Sequence, residues 1–268
     1  MSHKPDSAEY DLGTAWDVSS AEFQERRGRA TDSAHYGPFA PTENELRLLG
    51  DVSGQRILEL GCGGGQCAIA FAKQGATVAG VDLSPVQLDF ARELAQEQGV
   101  SVAFHLGDVA DLSAFGDSSW DVVTSVYAFH YLEEMAPCLA ECHRVLVPGG
   151  RLVFCLDHPM RDCFWDETDG DMAVYPVRSY FDERPMDWHM RGPEQIWMRT
   201  YHRTIAQWID LLHAAGLRLI RLVEPVPPQD LADEPWASEF DIQVGTQIPQ
   251  AIIFVAEADK SLSKRIVS

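Results

Sequence analysis

The chain has 268 residues, of which 46% are hydrophobic and 23% are charged. These proportions are ordinary for a globular protein and exclude a chain that is disordered throughout or a fibrous repeat. The formal net charge of −20 opposes binding to nucleic-acid phosphates and to anionic lipid head groups, so we expect neither a nucleic-acid nor a membrane partner. The basic run at residues 26–29 is too short to change that expectation.

The first residues lack an apolar core, and no run of about eighteen apolar residues occurs, so the sequence predicts no signal peptide and no membrane span. There are six cysteines and no CxxC pair. Cys138 and Cys142 have helical spacing, but no set of His or Cys partners accompanies them, which favours buried free thiols over a metal site. We expect no metal, a reducing cytoplasmic setting, and a monomer or a homodimer.

Residues 1–50 are polar and interrupted, and they predict an N-terminal helical cap. The first helix is expected to begin near Ser19 and the second at Thr42, with Gly50 as its stop. Each start has a glutamate three residues later, which is typical of a capping box.

Residues 51–158 alternate between short apolar runs and helical patterns. The pattern predicts a strand at 57–60, a helix at 66–73, a strand at 77–81, a helix capped by Ser84, strands at 102–106 and 121–126, a helix at 135–146 and a strand at 151–156. Strands that alternate with helices form right-handed crossovers and a parallel sheet. The sequence therefore predicts an α/β fold with a Rossmann-like, doubly wound sheet.

Residues 159–203 break this rhythm with four prolines and many aromatic and methionine side chains. Such side chains form adaptable apolar pockets, so we interpret the segment as a lid over a hydrophobic or aromatic acceptor. A small satellite core or a dimer contact is the alternative. A helix and two strands are predicted within residues 204–258. They complete a single domain over residues 1–258, and residues 259–268 form a tail.

A glycine loop, Gly61–Gly65, joins the first strand to its helix. Glycines let a backbone approach a ligand closely, and a helix N-terminus offers free N–H groups. Asp82 follows 21 positions after Gly61, a spacing that places a carboxylate on a ribose diol. Two features oppose an NAD site: Gln66 stands where a third small residue belongs, and Glu59 would lie beside a pyrophosphate. An NAD-dependent oxidoreductase is kept as an alternative.

Four successive motifs resemble those of class I S-adenosylmethionine-dependent methyltransferases, and the nearest group is the small-molecule, ubiquinone-biosynthesis-like one. The motifs are Glu59–Gly65, Val81–Ser84, Gly107–Val109 and Pro148–Gly150. The resemblance covers about residues 36–160. It implies that 217–224 and 251–257 form a closing hairpin with a C-terminal antiparallel strand.

The resemblance implies S-adenosylmethionine as methyl donor and S-adenosylhomocysteine as product. Gly61 and Gly63 would hold the methionine part, Asp82 would bond both ribose hydroxyls, and Glu59 would favour a cationic group of the cofactor. Tyr36 is a weaker candidate, since packing against the first strand would also explain it. The implied cofactor-binding residues are Glu59, Gly61, Gly63, Asp82, Leu83, Gln87, Asp108, Val109, Ser125, Val126 and Tyr36.

His130 follows the fourth strand, whose C-terminal end faces the ligand crevice in such sheets. We take it as the candidate catalytic residue that deprotonates or orients the acceptor, and packing or helix capping is the alternative. Candidates for substrate binding come from the end of the fifth strand and the end of the lid. The alternative to substrate binding is that these residues shape the entry to the lid or cap a helix. They are Asp157, His158, Trp197, Tyr201 and His202.

The sequence thus predicts methyl transfer from S-adenosylmethionine to a small hydrophobic or aromatic molecule. O-methylation is slightly preferred because histidines crowd the expected crevice, although N- or C-methylation would give a similar sequence. A module that binds the cofactor without catalysis is a further alternative. No clustered carboxylates indicate a metal-assisted reaction.

Overall fold

The computed structural model describes residues 10–27, 30–189, 196–227 and 238–261, with residues 26 and 27 described in their backbone only. Some expectations therefore lie outside the described residues. These are the first nine residues of the cap, residues 28–29 of the short basic run, residues 190–195 of the lid, residues 228–237 of the segment 204–258 and residues 262–268 of the tail.

Seven strands form one sheet in the order β10-β11-β5-β4-β1-β2-β3. The strands of the chain are β1 (Arg56–Leu60), β2 (Thr77–Asp82), β3 (Ala103–Leu106), β4 (Trp120–Val126), β5 (Leu146–Asp157), β6 (Trp165–Asp166), β7 (Asp171–Met172), β8 (Met186–His189), β9 (Trp197–Thr200), β10 (Leu217–Val223) and β11 (Ala251–Ala258). Strands β1 to β5 pair in parallel, and β11 runs antiparallel to both β5 and β10. The α/β fold with its closing antiparallel strand is confirmed.

The helices are α1 (Leu12–Arg27), α2 (Glu43–Leu46), α3 (Gln66–Lys73), α4 (Pro85–Glu97), α5 (Met135–Val145) and α6 (Ile205–Ala214). The predicted cap of α4 is confirmed, since Ser84 Oγ accepts the Gln87 N–H at 3.0 Å. The predicted capping box of α2 is also present, with Glu45 accepting the Thr42 N–H at 2.9 Å. Within the described residues, no helix is long and apolar enough to cross a membrane.

Two predicted helix boundaries are wrong. Helix α1 begins at Leu12 rather than near Ser19, because the Asp11 carboxylate accepts the Thr14 N–H at 3.2 Å and so serves its first turn. Ser19 instead lies inside the helix, where its hydroxyl donates to the carbonyl of Ala15. Helix α2 ends at Leu46 and not at Gly50, because Arg47 adopts a left-handed conformation with φ of 49°.

The sheet buries both of its faces, as successive side chains of each strand point to opposite sides. On β5, Leu152 and Phe154 pack in the cluster that includes side chains of α5 and α6. Val153 and Cys155, which alternate with them, pack in the cluster that includes α3 and the segment before β1. The carboxyl ends of the parallel strands therefore form one edge between two packed layers.

The segment 159–203 contains two short hairpins, in which β6 pairs with β7 and β8 with β9. These hairpins do not pair with the seven-stranded sheet in the described part of the chain. Part of the segment also forms a small cluster of its own, in which Cys163 and Phe164 pack on Phe240. The satellite core and the lid are thus both compatible with the hairpins, and the division into a core and a lid stays a prediction.

The segment before β1 is held by the buried carboxylate of Glu43. It accepts the hydroxyl of Tyr36 at 2.6 Å and the backbone N–H groups of Leu48 and Leu49 at 3.1 and 2.7 Å. A fourth donor, the N–H of Gly50, lies at 3.1 Å. Four donors compensate the burial of this group, so the segment depends on one side chain.

We expect Glu43→Gln to lower the free energy of unfolding by about 2 kcal/mol, because an amide cannot accept on both of its terminal atoms. Tyr36→Phe removes one donor only and is expected to cost about 1 kcal/mol. Urea unfolding followed by circular dichroism measures both. An equal loss in the two variants would contradict the central place of Glu43.

Candidate active site

A cavity of about 990 Å³ opens at the carboxyl edge of the sheet. Its wall includes Glu59 and Gly61 from the end of β1, Asp82 from β2, Val126 from β4 and Asp157 from β5. In open α/β sheets this edge, near the point where strand order reverses, is where ligands bind. The reversal lies at β1, which pairs with β2 on one side and β4 on the other.

The glycine loop runs along the wall of this cavity in a backbone shape that requires glycine. Gly61 has a φ of +67°, and a Cβ there would lie 2.4 Å from the Cβ of Ala128. The N–H of Gly63 donates to Asp82 Oδ2 at 2.8 Å, and Gly65 precedes α3 in a left-handed conformation. The loop thus brings its backbone against the cavity without a side chain in between.

Asp82 terminates β2 and lies on the cavity wall beside the loop. Its two oxygens each accept one backbone N–H, from Gly63 at 2.8 Å and from Ser84 at 2.9 Å. Burial raises the pKa of this carboxyl, and the two backbone donors act in the opposite direction. Each carboxylate oxygen has a second lone pair, so Asp82 can still accept two hydroxyl donors.

Glu59 is 3% exposed and faces the same cavity. Its Oε2 has no hydrogen-bond partner among the described residues. Burial raises the pKa of Glu59 to about 8, the Ala68 N–H lowers it, and the nearby charge of Asp82 raises it further. A buried carboxyl oxygen without a partner is costly, and a positively charged ligand would satisfy it.

Three further residues line the wall beyond Asp82: Leu83, Asp108 and Val109. Asp108 Oδ1 accepts the Ala110 N–H at 2.8 Å, which fixes the direction of the carboxylate. The family resemblance includes these residues in the implied cofactor-binding set, and the structure brings them to the same cavity as the glycine loop.

Helix α1 covers the glycine loop. The sequence did not indicate which side chains of the N-terminal segment do this. Leu12, Trp16 and Phe23 line the cavity. The Gln24 amide donates to Gln87 Oε1 at 2.6 Å, so Gln87 lies on the cavity wall and is bonded to α1. The apolar residues that follow Asp11 at helical spacing are the sequence feature that could have indicated this covering helix.

Two members of the implied cofactor set do not line this cavity. Ser125 is buried and its hydroxyl donates to the Leu60 carbonyl at 2.9 Å. The hydroxyl of Tyr36 is bound to Glu43, and burial together with that carboxylate raises the pKa of Tyr36 strongly. Their contact with a cofactor stays a prediction.

His130 lies on the cavity wall after β4, and its Nδ1 is buried with no hydrogen-bond partner in the described residues. Burial lowers the pKa of His130 to about 4, while the charge of Asp157 raises it. The imidazole is therefore neutral at pH 7.

The predicted substrate residues divide between two places. Asp157 lines the cavity, whereas His158 turns away and its Nε2 lies 2.9 Å from Glu224. Trp197 and Tyr201 line a second cavity of about 250 Å³. The roles of these residues in binding substrate stay predictions.

His202 does not line the main cavity, but it is hydrogen-bonded to Asp162, which does. Its Nε2 contacts the Tyr180 carbonyl at 2.8 Å, and its Nδ1 contacts Asp162 Oδ2 at 2.7 Å. A carbonyl only accepts, so Nε2 carries a hydrogen and one more proton is shared between Nδ1 and the carboxyl. Asp162, which lines the cavity, was not found from the sequence.

Comparison with known proteins agrees with this geometry. The family model described as "Methyltransferase domain" matches residues 58–154. An S-adenosylmethionine-dependent methyltransferase from Mesorhizobium loti superposes with a TM-score of 0.64 at 27% identity, over 80% of this chain and 96% of that one. The chain belongs to the class I S-adenosylmethionine-dependent methyltransferases.

Two relatives extend the comparison. An uncharacterized protein of Haemophilus influenzae is 34% identical over 209 residues, or 73% of this chain and 78% of that protein. The ubiquinone biosynthesis O-methyltransferase of Alkalilimnicola ehrlichii is 37% identical over 117 residues, or 41% of this chain and 47% of that enzyme. The chain thus spans about half the length of this O-methyltransferase.

S-adenosylmethionine is the cofactor of this methyltransferase. The chain's own residues fit it, since Glu59 has an unpartnered buried oxygen for a cationic group and Asp82 has free lone pairs for hydroxyls. Over residues 10–27, 30–189, 196–227 and 238–261, no group of three or more His, Cys, Asp or Glu side chains is arranged to hold a metal ion.

We expect cofactor affinity to rise with pH and to level off above the Glu59 pKa of about 8. Below that pKa a cation must displace the proton of Glu59, so affinity changes by about tenfold per pH unit at most. Calorimetric titrations from pH 6 to 9 with S-adenosylmethionine and S-adenosylhomocysteine measure this. A rise for both ligands indicates that Glu59 pairs with the ammonium, and a rise for the first alone indicates the sulfonium.

Glu59→Gln is the matched control, because it keeps the shape and removes the titration. The variant should bind with an affinity that varies little over the same pH range. A pH dependence unchanged in Glu59→Gln would contradict the assignment.

Proposed function

We propose that this methyltransferase acts on a small acceptor with a hydrophobic or aromatic body, and preferentially on an oxygen atom of it. The apolar part of the wall supports the first half, since the lid segment contributes Trp165, Met172, Met186 and Trp188 to the cavity. The similarity to an O-methyltransferase over 41% of this chain supports the second.

The observation that carries the proposal is the neutral, unpartnered Nδ1 of His130 on the wall of the cofactor cavity. When bound, S-adenosylmethionine supplies an electrophilic methyl group. The chain must hold an acceptor atom in line with it and take away the proton that the acceptor loses. In the tautomer that carries its hydrogen on Nε2, Nδ1 of His130 can receive a hydrogen bond from the hydroxyl group of the molecule to be methylated.

The low pKa of His130 fixes when the proton moves. An imidazole with a pKa of about 4 does not ionise a phenol or an alcohol beforehand. As the oxygen–carbon bond forms and the bond from that carbon to the sulfur of the donor breaks, however, the oxygen would approach an oxonium, which is far more acidic than an imidazolium. The O–H bond then breaks toward Nδ1, and the charge of Asp157, which raises the His130 pKa, stabilises the imidazolium.

We also propose a reducing, cytoplasmic setting. All six cysteines are buried free thiols. Cys138 and Cys142 lie in α5 within the core cluster, so the predicted free thiol pair is present as packing residues.

His130→Ala should reduce turnover by about a hundredfold or more, which is the usual contribution of a positioned base. The affinity for S-adenosylhomocysteine should not change, because His130 lies on the part of the wall beyond β4 and not on the glycine loop. Methyl transfer to a panel of phenols and hydroxylated aromatics, followed by mass spectrometry, measures the first quantity. Calorimetry measures the second.

His213→Ala is the control, since His213 is exposed on α6 and does not line the cavity. It should behave as the unmodified enzyme. Unchanged turnover in His130→Ala would remove the catalytic assignment, and methylation at carbon or nitrogen alone would overturn the preference for oxygen.

A further inference from the structure

We propose that the acceptor carries a positive charge, as a protonated amine, and that carboxylates at the acceptor end of the cavity hold it. This inference rests on the proposed function and names a property of its acceptor. The acceptor end is defined as the wall supplied by residues after β4 and β5, as opposed to the cofactor wall supplied by β1, β2 and β3.

The charges on the acceptor end are strongly unequal. Six carboxyl side chains line it: Glu133, Glu134, Asp157, Asp162, Asp171 and Asp241. Among the described residues of the cavity wall, the one lysine or arginine is Arg161. His130 adds no charge at pH 7, given its pKa of about 4. Even with Asp162 neutralised by the proton it shares with His202, the acceptor end keeps a large negative excess.

Arg161 is already engaged by the protein. Its guanidinium lies 3.6 Å from both Asp157 Oδ1 and Asp241 Oδ1, and it donates to Gln250 Oε1. The cation also lies over the rings of Phe39 and Phe240, at 4.8 and 5.1 Å from their centroids. Two carboxylates therefore share one guanidinium, and an anionic acceptor would have to compete with both.

The surroundings of Asp241 favour a cationic ligand independently of the excess of carboxylates over cations. It is 4% exposed, and its Oδ2 accepts the N–H and the hydroxyl of Ser238 at 2.9 and 2.7 Å. Its Oδ1 makes no hydrogen bond to a described residue, because Arg161 at 3.6 Å lies beyond that range. A buried carboxylate oxygen on a cavity wall without a donor is a site for an N–H donor, and an ammonium offers three.

Aromatic side chains stand among these carboxylates. Trp165 and Trp188 line the same end of the cavity. Aromatic faces attract cations, and carboxylates add charge and direction to that attraction. An acceptor with an aromatic body and an ammonium group would satisfy both, whereas a carboxylate or phosphate would meet like charges.

Three probes of similar shape and different charge test this: tyramine, 4-ethylphenol and 4-hydroxyphenylacetate. Each is titrated calorimetrically into the enzyme saturated with S-adenosylhomocysteine, at low and at high salt. We expect tyramine to bind about tenfold more tightly than 4-ethylphenol, and the anion not to bind measurably. The preference for tyramine should shrink at high salt.

Asp241→Asn should remove most of the preference for tyramine and leave binding of 4-ethylphenol unchanged. Asp157→Asn, at a less buried position, gives a second reading if Asp241→Asn does not fold, and retained affinity for S-adenosylhomocysteine shows that a variant is folded. Asp89→Asn is the control, because its side chain is 73% exposed and lies away from the cavity.

Equal binding of the three probes, tighter binding of the anion, or no binding of tyramine overturns the inference. Mass spectrometry of the same mixtures with S-adenosylmethionine tests the proposed function separately. Tyramine that binds selectively but is not methylated on oxygen contradicts O-methylation and leaves the charge inference standing. Methylation of the phenol oxygen without any charge preference does the reverse.

Discussion

The carboxylate of Asp82 connects the parts from which the cofactor site is built. By accepting the N–H of Gly63 it holds the glycine loop against the end of β2, and by accepting the N–H of Ser84 it fixes the turn that starts α4. Ser84 in turn donates to Asp17 at 2.6 Å, so α1 is attached to the same turn. A loop, two helices and a strand end are therefore positioned through a chain of three side chains. Loss of this carboxylate would release the loop as well as remove a ligand contact.

The cofactor half could be read from the sequence because its determinants are local. A glycine loop between a strand and a helix has few backbone solutions, and the position of Asp82 follows from the length of one βαβ unit. The N-cap of α4 at Ser84 is equally local, and it is confirmed. These features depend on neighbours within a few residues, or on a crossover whose handedness is almost fixed.

The acceptor half was read less well, because the direction of a side chain there depends on distant partners. Asp157 and His158 are adjacent, yet one faces the cavity and the other bonds to Glu224. That direction is set by the pairing of β5 with β11, which joins Asp157 to Ala251. Asp162 lies in a short 3-10 helix after β5 and Asp241 begins a π-helix between β10 and β11, and no spacing along the chain relates them. The start of α1 was missed for a different reason: Asp11 caps it without a glutamate three residues on.

The distribution of acid within the cavity sets a requirement on the chemistry. Methyl transfer to a neutral oxygen disperses the positive charge of the donor, so carboxylates that stabilise concentrated positive charge favour the bound reactants over the transition state. Such carboxylates help only where they face a positive charge of the ligand that does not change during the reaction. An ammonium that stays protonated meets this condition, and Asp241 and Arg161 lie on the wall formed after β5, apart from the glycine loop on β1. Glu59 lies on the cofactor wall instead, and its pKa of about 8 lets it give up a proton when a cation binds and recover it when the cation leaves.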